Sequence, residues 1–276
     1  MESSSSKAAI CSFDEACKSI GRKGSGMDSP SVDENQELGF FKVWLLISQL
    51  LGVISIALVS AWCGQYLGGF AWQSEPKLQF NHHPFFMVLG LVFCYGNALL
   101  VYRVFRNQRK RSLKLLHFGL HTLAFIFAIV ALKAVFDSHN LSSPPIPNLY
   151  SIHSWLGLTT ILLFALQYFC GFVAFLYPGL TKIWRTKYLP LHVFFGLCIF
   201  VMVIAACFMG ITEKIMFSEG AKYKNLPPGA IVGNLLGYCL LLFALLIVYL
   251  VATPQFRRRP LPEEVQLQLD QQVPSN

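Results

Sequence analysis

The chain has 276 residues and a formal net charge of +8; 54% of it is hydrophobic and only 13% is charged, giving a mean hydropathy of +0.52. A soluble domain carries nearly twice that charged fraction, so a water-soluble globular enzyme is excluded. The eight cysteines show no C-x-x-C spacing, which excludes a disulfide framework or a zinc module of that kind and leaves them as small apolar residues.

Residues 1–39 are rich in Ser, with Gly, Asp and Glu scattered among them. They lack the apolar core of a secretory signal and read as a disordered cytosolic tail. Six apolar runs follow, at about 40–62, 84–105, 115–136, 151–177, 189–210 and 229–252. Each is long enough to cross ~30 Å of hydrocarbon as a helix rising ~1.5 Å per residue. Residues 40–253 are therefore expected to form an all-α membrane domain of six transmembrane helices, with a four-helix core (helices 2–5) flanked by helices 1 and 6. Residues 254–276, with three arginines and a Pro/Gln/Glu-rich stretch, read as a second disordered cytosolic tail.

Cations set the orientation. Seventeen of the 22 Lys and Arg residues fall in the two tails, at Lys42 beside the first of them, and in the 103–114 and 182–187 loops, against five on the opposite side. The positive-inside rule then places both termini in the cytosol. The net charge needs no nucleic-acid partner, since most of it is this collar beside the lipid headgroups.

Five of the seven histidines lie at or inside expected helices, where an ionisable side chain is expensive and marks a functional site. His83 opens helix 2 and His153 lies near the start of helix 4, both on the outer side. His117 and His192 open helices 3 and 5, both on the inner side. Two layers of two histidines, each drawn from parallel helices of a four-helix core, suit two haems with an imidazole on each iron face. His121 lies one helical turn after His117, on the same face, and spacing alone does not choose between them as ligand. Two rivals are a metal or proton transporter with a histidine relay, which would favour intramembrane acids that this chain lacks, and a non-catalytic scaffold, which gives no reason for paired histidines.

Several stretches are recognisable: LQFNHHP (78–84), GNALLVYRVFRN (96–107), KLLHFGLH (114–121), VFDSHN (135–140), NLYSIHSWLGL (148–158), LPLHVFFG (189–196) and GITEK (210–214). Through them, residues 43–260 resemble the cytochrome b561 family. SQLLG (48–52) and the FAWQS region (70–74) are most similar to the vesicular, chromaffin-granule type, while His139–Asn140 are more similar to the duodenal and lysosomal relatives. The resemblance implies two haem b per chain, with iron axially bound by His83 and His153 on the outer side and by His117 and His192 on the inner side. His121 then lines the inner haem pocket and His82 is an interfacial bystander.

The resemblance further implies ascorbate as cytosolic electron donor, with Arg103, Lys110, Lys114 and Arg185 at its site. Lys114 lies three residues before His117, and Lys110 and Arg185 each lie seven before their histidine, offsets that return side chains to the histidine's face. At the outer mouth Phe136, His139, Asn140 and Tyr150 are expected, with His139 able to move a proton or hold a metal ion and Glu213 and Lys214 as further cover. The implied acceptor is monodehydroascorbate or a ferric chelate, so a ferric reductase is the alternative within the enzyme class. Trp155, Tyr168 and Phe195 are read as packing inside the bundle. A homodimer in a secretory-vesicle or endolysosomal membrane completes the expectation.

Overall fold

Long apolar runs wind into helices, because in lipid each backbone N–H must find a carbonyl within its own segment; Pro190 is accommodated inside one of them. The computed structural model describes residues 32–264 and residue 266; most of the first expected tail and about half of the second lie outside them. The chain divides into Met1–Gly39 and Phe40–Asn276, and the histidine-bearing helices all belong to the second unit.

The helices are α1 (Val32–Ala61, extended by a π-helical turn Trp62–Tyr66), α2 (Pro76–Val104), α3 (Lys110–Asn140), α4 (Ile152–Phe175), α5 (Lys182–Glu219) and α6 (Pro228–Ala252). All six are long and apolar enough to cross a membrane, and among the described residues there is no β-strand. Local chemistry sets several ends. Ser151 and Ser154 form a reciprocal capping box at the start of α4. Pro228 stands in the first turn of α6, where its missing N–H costs nothing. Gly220 closes α5 at φ 51°, a left-handed conformation that favours glycine. Ser48, Ser55, Ser60, Thr122 and Thr160 each turn their hydroxyl onto a carbonyl three or four residues earlier, which satisfies a polar group that lipid cannot.

The helices pair as two antiparallel hairpins, α2 with α3 and α4 with α5, each packed along most of its length. The hairpins touch each other more sparingly, and α6 packs on both α2 and α5. Phe93 of α2 and Phe243 of α6 stack at 6.4 Å, and Gly52 of α1 leaves the room that their rings occupy.

Three expectations need correction. α3 and α5 run well beyond their apolar windows, so Lys110 and Lys182 already begin helices, and the last turn of α3 reaches His139 and Asn140. Trp155 and Phe195 are 67% and 51% exposed; they face outward, where lipid takes an aromatic ring without the penalty that water would impose. Residues 254–264, read as disordered, are instead folded back on the bundle, with Phe256 only 4% exposed.

Candidate functional site: two histidine layers

One layer joins the start of α2 to the start of α4. The rings of His83 and His153 stand 6.1 Å apart, centre to centre, and nearly perpendicular at 86°. The other joins the starts of α3 and α5, with His117 and His192 at 6.3 Å and 66°. Two metal–nitrogen bonds of roughly 2 Å, with about 1 Å more from each nitrogen to its ring centre, span about 6 Å. Both pairs therefore stand at the spacing of imidazoles that share one axial metal ion.

The tautomers agree. His83 Nδ1 lies 3.3 Å from the Ala131 carbonyl, His117 Nδ1 2.8 Å from that of Ala98, and His153 Nδ1 2.9 Å from that of Ala206. A carbonyl only accepts, so each Nδ1 carries the proton and donates it, leaving the Nε2 lone pair for a metal. His192 is held differently. Its Nδ1 is buried without a partner, while Gln167 Nε2 donates to its backbone carbonyl at 2.6 Å and the Phe175 ring lies 5.1 Å away.

Glycines shape the seats of two rings. A Cβ on Gly210 would meet His153 Cε1 at 2.7 Å, and one on Gly171 would meet His192 Cε1 at 2.9 Å. Among the described residues no three His, Cys, Asp or Glu come together as a metal site. Two imidazoles alone suit an ion that brings its own equatorial donors, as haem iron does. The residues present therefore fit two such groups.

The anchoring has a pattern. Within the first hairpin His83 of α2 reaches Ala131 of α3, and His117 of α3 reaches Ala98 of α2. Within the second, His153 of α4 reaches Ala206 of α5, and His192 of α5 lies on Gly171 of α4. Each hairpin thus supplies one histidine to each layer. The residue intervals 83–98, 117–131 and 192–206 place the layers roughly 21 to 23 Å apart at the helical rise, and 153–171 roughly 27 Å. Between them the interior is aromatic: Tyr95 donates to the Gly196 carbonyl at 2.8 Å, with Phe164 and Phe200 at 5.1 and 5.6 Å. His121 is buried there, 4.5 Å from His117 and 4.7 Å from Tyr95, its Nδ1 without a partner.

The His83–His153 layer opens into a cavity of about 1040 Å³ whose lining includes Phe136, His139, Tyr150 and Lys214. His139 Nδ1 is buried and lacks a hydrogen-bond partner. Asn140 Oδ1 accepts from Asn148 Nδ2 at 2.8 Å. Lys214 lays its ammonium 4.2 Å from the centre of the Phe80 ring, and among the described residues no carboxylate pairs with it. His82 sits apart against Phe70 and Trp72.

Beside the His117–His192 layer, Lys110 and Arg185 each lie close enough to Lys114 for their charges to act on it. Lys114 Nζ donates to the carbonyl of Phe175 at 2.9 Å, a cation on the negative end of α4. Arg103 is committed elsewhere, its guanidinium on the Val251 carbonyl of α6. Sequence reasoning missed Gly171, Gly210 and Gln167. Their one signal is a glycine or an amide inside an apolar helix, which spacing alone does not connect to a histidine on another helix.

Comparison with known proteins identifies relatives over most of the chain. Residues 82–218 match the family described as eukaryotic cytochrome b561. The chain is 44% identical over 232 residues to the transmembrane ascorbate-dependent reductase CYB561 of Bos taurus, covering 84% of this chain and 90% of that protein. It is 42% identical over 227 residues to the Homo sapiens protein of the same name, covering 82% and 89%. The plasma membrane ascorbate-dependent reductase CYBRD1 of Xenopus tropicalis is 42% identical over 228 residues, covering 82% and 79%.

Proposed function

The chain belongs to the eukaryotic cytochrome b561 family, and on that premise we propose that it is a membrane oxidoreductase passing single electrons from cytosolic ascorbate, across two histidine layers, to an acceptor on the opposite face. The observation that carries this is the pair of imidazole couples at 6.1 and 6.3 Å, three of their four rings locked by carbonyls in the metal-binding tautomer. His83 and His153 would hold one b haem, His117 and His192 the other. When bound, haem supplies the one-electron couple at each layer.

The remaining work falls to the chain. Lys110, Lys114 and Arg185 gather positive charge beside the His117–His192 layer and bind the ascorbate monoanion there. As ammonium and guanidinium groups they attract the anion without taking its proton, so the proton released as ascorbate becomes the monodehydroascorbate radical leaves to water. Tyr95, Phe164 and Phe200 keep the interval between layers dry. At the far cavity Lys214 would attract an anionic acceptor, and His139 would deliver a proton to it. Monodehydroascorbate and a ferric chelate both meet that description. The excess of basic residues at the Lys110–Arg185 end supports the reading that this end faces the cytosol.

The test is an absorption spectrum of the purified protein, oxidised and then ascorbate-reduced, with haem counted per chain. Two haems, one lost on replacing His83 or His153 and the other on replacing His117 or His192, are expected. A folded but colourless protein overturns the proposal. Presenting the radical and a ferric chelate in turn to the reduced protein separates the acceptors.

A further inference from the structure

The amino end of α3 is electrostatically awkward. Its first turns carry Lys110, Arg111 and Lys114, with no acidic residue and no side-chain cap from Arg109. Free N–H groups and the helix dipole already make that end positive, so four basic residues crowd where an anion belongs. The compensating carboxylate comes from the other end of the chain. Glu264 Oε1 accepts from the Lys110 backbone N–H at 3.3 Å. Arg258 grips the same carboxylate with both terminal nitrogens, at 2.9 and 2.8 Å, and Leu261 N–H adds a bond at 3.2 Å. Arg258 also donates to the Gln108 carbonyl at 2.9 Å. The segment is seated by Phe256, whose ring lies 5.1 Å from Phe41 of α1, and the Arg106 guanidinium lies 4.5 Å over the same Phe41 ring.

We propose that Arg258 and Glu264 form a clasp that positions the electron-donor site: by capping α3 from outside, they keep its first turn wound, so that Lys110 and Lys114 present one fixed cationic surface to the donor anion. Neither residue touches the donor; both act through α3. Lys110 depends on the clasp most directly, because its own N–H is the group capped. Lys114, one turn further in, has the Phe175 carbonyl as a second hold. A bidentate, charge-assisted pair suits this task, since it fixes direction as well as distance.

The clasp rests on the donor-site reading, and the experiment separates the two. Full-length Glu264→Gln, Arg258→Met, the double variant and Lys114→Ala are compared with the parent in the ascorbate dependence of reduction. Haem content, the dithionite-reduced spectrum and hydrogen exchange of the 109–114 amides are measured alongside. The clasp predicts that Glu264→Gln and Arg258→Met each raise KM for ascorbate by about three- to tenfold. They leave kcat and haem content at the parent level and speed exchange at residues 109–114. The double variant is no worse than either single one, because the pair acts as a unit. An unchanged or lowered KM in Glu264→Gln, beside a raised one in Lys114→Ala, overturns the clasp and leaves the donor site standing. An unchanged KM in Lys114→Ala overturns the donor-site reading instead. Loss of haem or kcat in the clasp variants shows a merely structural contact and also overturns it.

Discussion

Gly210→Ala is the sharpest perturbation available. In an isolated helix this change favours folding by about 0.5–1 kcal/mol. Here the new Cβ would stand 2.7, 3.0 and 3.2 Å from Cε1, Nδ1 and Nε2 of His153. Ordinary contact between carbons is about 3.5–4.0 Å, so the imidazole must retreat by roughly 1 Å. Its Nδ1 bond to Ala206, now 2.9 Å, then stretches past hydrogen-bonding range. Losing that part-buried hydrogen bond costs about 0.5–1.5 kcal/mol, and the ring leaves its present 6.1 Å spacing to His83. Haem counting and a potentiometric titration of the purified variant should show one couple lost or displaced and the other retained. Gly119→Ala and Gly157→Ala, where an added Cβ meets nothing within 4 Å, should keep both. Two unaltered couples in Gly210→Ala would refute the argument that this ring is seated by a missing side chain.

The mirror change, Gly171→Ala, places a Cβ 2.9 Å from His192 Cε1 and should disturb the other couple alone in the same titration. Lys114→Ala should raise KM for ascorbate by about tenfold, with the dithionite-reduced spectrum unchanged, because one of three gathered cations is gone. Lys214→Met should leave ascorbate reduction intact and slow reoxidation by an anionic ferric chelate more than by a neutral one, read by stopped-flow absorbance. Glu264 is held down to about 2, first by its hydrogen bonds from Arg258. A lowered carboxylate stabilises above its ordinary range, near 4.5, and loses that contribution as pH falls toward 2. Hydrogen exchange of the Lys110 and Leu261 amides, corrected for intrinsic rate, should therefore be flat from pH 5 to 8 and lose protection only in acid.

Much of this was legible because lipid enforces simple rules. An apolar run of sufficient length has one solution, so the six helices and their order follow from hydropathy. Histidines at the starts of alternate helices then fall into two layers by topology alone. Helix ends were less legible: α3 and α5 continue through residues 110–114 and 182–188 because a charged turn at the interface stays helical once the buried part is wound. Trp155 and Phe195 were misplaced because an aromatic ring in a membrane helix is at home facing either lipid or core. The folded stretch to Glu264 was hidden by its composition, since one buried Phe256 and one Arg258–Glu264 pair among polar residues leave no periodic signal.

The division of labour between hairpins carries a further consequence. Each ring is anchored inside its own hairpin, to a carbonyl or a glycine of the neighbouring helix, while each layer is completed only across the gap between hairpins. Contacts across that gap are sparse, as they must be if flat rings are to lie there. The two hairpins can therefore fold separately with their histidines already oriented, and docking brings both layers together in one step. Removing one histidine should empty one layer, because the docked geometry survives. Loosening the seam itself, for instance by Tyr95→Phe, which deletes the bond from α2 to the Gly196 carbonyl of α5, should shift both couples together. A change confined to one couple would mean that the layers are set independently and that the shared framework does not govern them.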